Sequence, residues 1–104
     1  LNLSNNRTIS NHTVSKLTML TSLDIVNNNR ISVDELINLK HLNLSFNRNI
    51  VDEQIVKLTN LQTLYLTNND KITDNGISSL VNLTYLDLSY NILITNNGIS
   101  GLSN

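Results

Sequence analysis

Five copies of the pattern Leu-x-Leu/Ile-x-x-Asn restrict this chain more than any other feature of it. Leu61-Gln-Thr-Leu64-Tyr-Leu66-Thr-Asn-Asn69 recurs as Leu83-Thr-Tyr-Leu86-Asp-Leu88-Ser-Tyr-Asn91, as Leu39-Lys-His-Leu42-Asn-Leu44-Ser-Phe-Asn47 and as Leu20-Thr-Ser-Leu23-Asp-Ile25-Val-Asn-Asn28. Residues 1–6 are the tail of the same motif. The closing asparagines, Asn6, Asn28, Asn47, Asn69 and Asn91, are spaced by 22, 19, 22 and 22 residues. Three residues past each comes Ile9, Ile31, Ile50, Ile72 or Ile94. Eight past it comes Val14, Leu36, Ile55, Ile77 or Ile99, and eleven past it Leu17, Leu39, Leu58, Leu80 or Leu102. A period of this length implies a stack of coils.

In Leu-x-Leu the two apolar side chains fall on one face of a short strand, because successive side chains alternate. The apolar positions that follow keep spacings of three, which suits a helical or 3₁₀ turn on the opposite wall. Each coil supplies about six apolar side chains to an interior it cannot close alone; stacking closes it and aligns the strands into a parallel sheet. The motif asparagine is expected to turn inward and bond backbone groups freed at the strand end, one copy above the next. Five residues past it stand Asn11, Asp52, Asp74 and Asn96, good helix N-cap types. In the 19-residue repeat that place is Val33, where Ser32-Val-Asp-Glu35 reads as a capping box. Its three missing residues are assigned to a turn between Leu39 and Leu42, with a shortened convex segment or a local change of curvature as the consequence.

These residues resemble the leucine-rich repeat family over the whole chain. Ile72-Thr-Asp-Asn-Gly-Ile77 and Ile94-Thr-Asn-Asn-Gly-Ile99 are similar to the I-T-D-x-G-L segment of the cysteine-containing repeats of F-box adaptors and related bacterial proteins. Asn stands in place of that subtype's Cys, and the 22-residue period is closer to the bacterial, internalin-like length. The resemblance implies an α/β solenoid: a curved right-handed coil with a parallel sheet on its concave face and short helices or 3₁₀ turns on its convex face. About five repeats are expected, at 1–22, 23–41, 42–63, 64–85 and 86–104. Because both ends fall inside the pattern, the chain is expected to be a piece of a longer protein.

Composition narrows the function. A net charge of −1 and a pI near 6.0 give no global pull toward nucleic acid or an anionic membrane. Aromatic residues make up 4% and tryptophan is missing, which argues against a platform for stacking bases. With no cysteine, neither a disulfide framework nor a thiolate metal site exists in this stretch. No apolar run approaches the roughly 18 residues of a membrane helix. Asparagine is in excess, at 20 of 104 residues, and only the motif copies have a stated role.

Strand positions pointing away from the core form four columns: Ser22, His41, Thr63 and Tyr85; Asn2, Asp24, Asn43, Tyr65 and Asp87; Ser4, Val26, Ser45, Thr67 and Ser89; Asn5, Asn27, Phe46, Asn68 and Tyr90. Most are small and polar. His41, Phe46, Tyr65, Tyr85 and Tyr90 depart from this and include every Tyr and Phe of the chain. Exposed aromatic side chains are typical binding anchors, whereas the plainer reading is cross-strand packing on a sheet surface. Asp24 and Asp87 join them as candidate partner-binding residues.

Arg7, Arg30, Arg48 and Lys71 place one cation in each turn after the motif asparagine. Such a ridge fits an acidic partner or, more plainly, stays solvated beside Asp34, Glu35, Asp52, Glu53 and Asp74. His12 falls on the convex side and His41 on the concave side, so they cannot share a metal ion. Asp24 and His41 are near neighbours, but no activated serine completes a triad. Gly76 and Gly98 are isolated and form no phosphate loop. Five N-x-S/T sequons, at Asn2, Asn6, Asn11, Asn43 and Asn82, are what so much Asn, Ser and Thr produces by accident.

The expectation is a protein–protein interaction module that uses its concave face, without catalysis, cofactor, metal, nucleic acid, membrane insertion or small-molecule substrate. The alternative is the substrate-recruiting arm of a larger enzyme, a ubiquitin ligase adaptor or a kinase, whose catalytic part lies elsewhere. A purely structural spacer is the third reading.

Overall fold

The computed structural model describes residues 1–5, 14, 16–28, 31–91 and 93–102. Four three-residue strands, β1 (Ser22–Asp24), β2 (His41–Asn43), β3 (Thr63–Tyr65) and β4 (Tyr85–Asp87), form a parallel sheet in chain order. Leu23, Leu42, Leu64 and Leu86 pair across it in one row, and a bridge from Asn2 to Asp24 extends the sheet by one further coil. Among the described residues three one-turn helices, α1 (Asp52–Ile55), α2 (Asp74–Ile77) and α3 (Asn96–Ile99), stack on the opposite wall. The body measures 37 × 25 × 19 Å.

Between the walls the core runs as six apolar columns. In the coil that begins at β3 these are Leu64, Leu66, Ile72, Ile77, Leu80 and Leu83, all buried. At its C-terminal end Leu86, Leu88, Ile94 and Leu102 are only partly covered.

The motif asparagine does turn inward. Asn47 and Asn69 are completely buried. The Asn69 side-chain oxygen accepts from the Asn47 N–H at 3.1 Å, and its Nδ2 donates to the Leu44 carbonyl at 3.0 Å. Asn47 serves Asn28 and Ile25 in the same way at 2.6 and 2.7 Å, and Asn91 serves Asn69 and Leu66. Asn6 lies outside the described residues. A parallel coil leaves these backbone groups without in-plane partners where the strand ends, and the carboxamide carries its donor and its acceptor on separate atoms, so it serves a carbonyl and an N–H at once.

A second asparagine ladder was not foreseen. Asn38, Asn60 and Asn82 donate Nδ2 to the carbonyls of Thr18, Ile37 and Thr59 in the preceding coil, at 2.9, 3.0 and 2.8 Å. Their own 22-residue spacing was the available signal. Together with a third set at positive φ (below), they give much of the asparagine excess a backbone role.

Two expectations need correction. The first concerns the 19-residue repeat. Val33, Leu36 and Leu39 are buried and bonded by Leu36 N–H to Val33 O and Leu39 N–H to Leu36 O. This reproduces Ile55, Leu58 and Leu61 of the next coil, so the three residues are missing between Ile31 and Val33, not between Leu39 and Leu42. What was lost is the convex helix, and residues 31–40 contain none. The Ser32–Glu35 capping box therefore has no helix to cap; the Ser32 hydroxyl instead donates to Asp34 at 2.6 Å. A buried apolar residue cannot leave its column without opening a cavity, so the deletion fell where side chains were solvated.

The second correction shifts the N-caps by one residue. The caps are Val51, Thr73 and Thr95, with Asp52, Asp74 and Asn96 as the first helical residues. Thr73 and Thr95 accept through Oγ1 from Asn75 and Asn97 N–H. Val51 has no acceptor, and there the Gln54 side chain takes up the Val51 N–H at 3.0 Å.

The displaced aspartates bind between coils. Asp52 accepts from the Thr73 N–H at 2.8 Å and from its hydroxyl. Asp74 does the same with Thr95 at 2.7 and 2.5 Å. Gly76 and Gly98 lie in α2 and α3 against these carboxylates, where any Cβ would collide with Asp52 or Asp74.

The Thr95 hydroxyl and N–H hold the Asp74 carboxyl below its ordinary 3.8. A depressed folded-state value means stabilisation that is complete above the ordinary carboxylate range and lost as pH falls through it. Urea unfolding midpoints are therefore expected to drop between about pH 5 and about pH 3, and Asp74→Asn should flatten that drop. An unchanged slope in the variant would show that the contact does not bias folding.

Candidate functional site

The outward face of the sheet is built on strand ends that need help. At each end the chain leaves the sheet through a tight turn, and a short polar side chain accepts the N–H two residues on: Asn2 from Ser4, Asn43 from Ser45 and Asp87 from Ser89, at 2.9, 3.1 and 2.9 Å. Asp24 caps Val26 more weakly, at 3.4 Å, and accepts from the Ser4 hydroxyl at 2.7 Å. These are Asx turns, and they hold Asp24 and Asp87 half-buried in structural work. Ser89 draws the Asp87 carboxyl below its usual value, first through its N–H and then its hydroxyl.

The next column is less exposed than the alternation implied. Ser45 is buried, its hydroxyl accepting from the Thr67 N–H at 3.3 Å, as Ser4 does from Val26 at 3.1 Å.

Tyr65 breaks the series. It pairs in register with Asn43 and Asp87, and a tyrosine ring cannot close an Asx turn. Its ring meets Tyr85 instead, with centroids 5.0 Å apart and planes inclined by 43°. Tyr65 is half-buried while Tyr85 remains 50% exposed. The Tyr85 hydroxyl is pushed above its ordinary 10.0, first by the charge Tyr65 would carry beside it, then by burial and by Asp87. His41 is exposed in the same register row as Thr63 and Tyr85. The structure thus brings Tyr65, Tyr85, Asp87 and His41 onto one continuous face.

Phe46 and Tyr90 lie at the rim of that face, 46% and 80% exposed. Both have left-handed backbones, φ 63° and 62°, as do Asn5, Asn27 and Asn68 in the same column. Arg48 and Lys71 are exposed in the turns beyond; Arg7 and Arg30 lie outside the described residues, as does His12. Among the described residues no cluster of His, Asp and Glu could hold a metal ion, and no helix is long and apolar enough to cross a membrane. Every buried side-chain nitrogen and oxygen among them has a hydrogen-bond partner.

Sequence comparison agrees with this geometry. A model of paired leucine-rich repeats matches residues 37–75, and a single leucine-rich repeat model matches residues 16–34 and 81–103. The chain belongs to the leucine-rich repeat family. An internalin from Listeria monocytogenes is a similar solved structure, with a TM-score of 0.64 and 26% identity over 96% of this chain. This chain spans 37% of that internalin's length. No curated protein matches the sequence. As a leucine-rich repeat solenoid the chain is a repeat module of the protein-interaction type.

Proposed function

We propose that this solenoid recognises another protein through the concave face of its sheet, around Tyr65 and Tyr85, with Asp87 and His41 alongside, and that this segment performs no catalysis. One observation carries the reading. Tyr65 occupies a place where the other coils put an Asx-turn residue, and the side chain gained is an exposed aromatic surface shared with Tyr85. Small polar neighbours offer little area to bury, so contact energy concentrates in these rings. Asp24 sits at the far end of the face, and its bond to Ser4 makes it the most committed to structure of the proposed contacts.

The test is unbiased selection. Random-peptide phage panned on the protein are expected to yield ligands that slow amide exchange at 63–65 and 85–87. Lys57, exposed after α1 on the convex wall, supplies the control: Lys57→Glu should leave their affinity unchanged. Protection concentrated on α1, α2 and α3 instead would move the site to the convex side.

A further inference from the structure

Closing the turn at the end of each strand takes an acceptor oxygen and no charge. Asn2 and Asn43 close it with a neutral carboxamide at 2.9 and 3.1 Å, and Asp87 closes it with a carboxylate at 2.9 Å. The charge at Asp87 is therefore additional to what the turn requires. Neutral donors hold it in its ionised form: the Ser89 N–H first, then the Ser89 hydroxyl, with a smaller share from Thr67.

Two flat rings border this carboxylate. Tyr65 pairs with Asp87 across β3 and β4, so the two residues stand one strand spacing apart, about 4.8 Å. Tyr85 precedes Asp87 by two residues on β4 and shares its outward face, about 7 Å along the strand. The rings meet at 5.0 Å between centroids, and Tyr85 is half exposed. All three side chains leave the sheet perpendicular to the direction in which coils stack, so a neighbouring coil does not lie over them.

The rest of the face adds no permanent positive charge. Its four outward columns contain Asp24 and Asp87 but no lysine or arginine, and His41 lies two strands from β4. Lys40 precedes β2, equally far from β4, while Arg48, Asp70 and Lys71 stand past the motif asparagines in the turns.

We propose that Tyr65, Tyr85 and Asp87 form a seat for an arginine side chain of the partner protein. A guanidinium is planar and permanently charged, so one side stacks on an exposed tyrosine ring while its N–H fork meets the carboxylate. A lysine ammonium brings the charge without the plane, and an apolar side chain brings area without the charge. The proposal rests on the reading that the concave face engages a protein, and it names the side chain engaged.

The probe is a fluorescent synthetic peptide of arginines spaced by glycine and serine, compared with the same peptide carrying citrulline, lysine or glutamate for arginine. Citrulline keeps the planar shape and removes the charge. The arginine peptide is expected to bind more tightly than each of the other three, and added salt should weaken it. Asp87→Asn, which keeps the turn as Asn43 does, should weaken the arginine peptide about fivefold or more and leave the citrulline peptide unchanged. Asp70→Asn removes the same charge from the exposed rim and should not weaken the arginine peptide. Equal affinity for arginine and citrulline would overturn the proposal, and this comparison decides the matter whatever Asp87→Asn does to the fold. So would an Asp87→Asn variant that binds arginine normally, or an equal loss in Asp70→Asn, which would assign the effect to net charge. Peptides panned at random separate this proposal from the reading beneath it. Ligands that protect 63–65 and 85–87 but lack arginine leave the concave face standing and overturn the arginine seat. Protection on α1, α2 and α3 overturns both.

Discussion

Asn69→Ala is expected to lower the unfolding free energy by about 2–4 kcal/mol, since two buried hydrogen bonds go at once, each worth about 1–3 kcal/mol when a partner is left behind. Asn69 is fully buried in the middle of the stack, accepting from Asn47 and donating to Leu44, and alanine can do neither. Asn68, the residue before it, makes the instructive contrast. From sequence it is a surface position where alanine should cost little. Its φ of 59° changes that: Asn68→Ala should cost about 1 kcal/mol in left-handed strain, while Asn68→Gly should stay within about 0.5 kcal/mol. Denaturant titration of the three variants would rank them Asn69→Ala, Asn68→Ala, Asn68→Gly. Equal losses for Asn69→Ala and Asn68→Gly would show that the ladder does not hold the coils together.

Replacing Tyr65 and Tyr85 together by alanine is expected to weaken panned peptide ligands by roughly a hundredfold, the range seen when an aromatic hot spot is removed. Single substitutions should each cost more than half of this in free-energy terms, because the two rings pack on each other and removing either leaves a loose partner. The fold should persist with a thermal midpoint a few degrees lower, as neither ring belongs to the buried core. Lys57→Glu provides the baseline. A double variant that unfolds would make the tyrosines structural, and one that binds normally would remove them from the site.

Much of the architecture was legible because the core is periodic. Each apolar column repeats every 22 residues, and burying an apolar side chain is favourable in any coil, so the columns can be read without coordinates. The inward asparagine was legible for the same reason, since a polar residue recurring at the edge of an apolar pattern must be bonding something. The location of the missing helix was not. Leu36 and Leu39 fit the apolar spacing counted forward from Asn28 or backward from Asn47, and only the backward count also makes Val33 a core residue rather than a cap.

The division between what could be read and what could not follows the range of the forces. A parallel sheet of short strands, a six-column interior and the ladder of Asn28, Asn47, Asn69 and Asn91 rest on burial and hydrogen-bond demand that every coil shares, so residue identity and spacing specify them. The stitch from Asp52 to Thr73 and from Asp74 to Thr95, the glycines beneath them and the second ladder of Asn38, Asn60 and Asn82 required coordinates. The same holds for the left-handed turns at Phe46 and Tyr90 and for the meeting of Tyr65 with Tyr85. All of these depend on which atom of one coil lies over which atom of the next. That relation is set by stacking geometry between residues about 22 apart in the chain, and a spacing of identical letters carries no record of it.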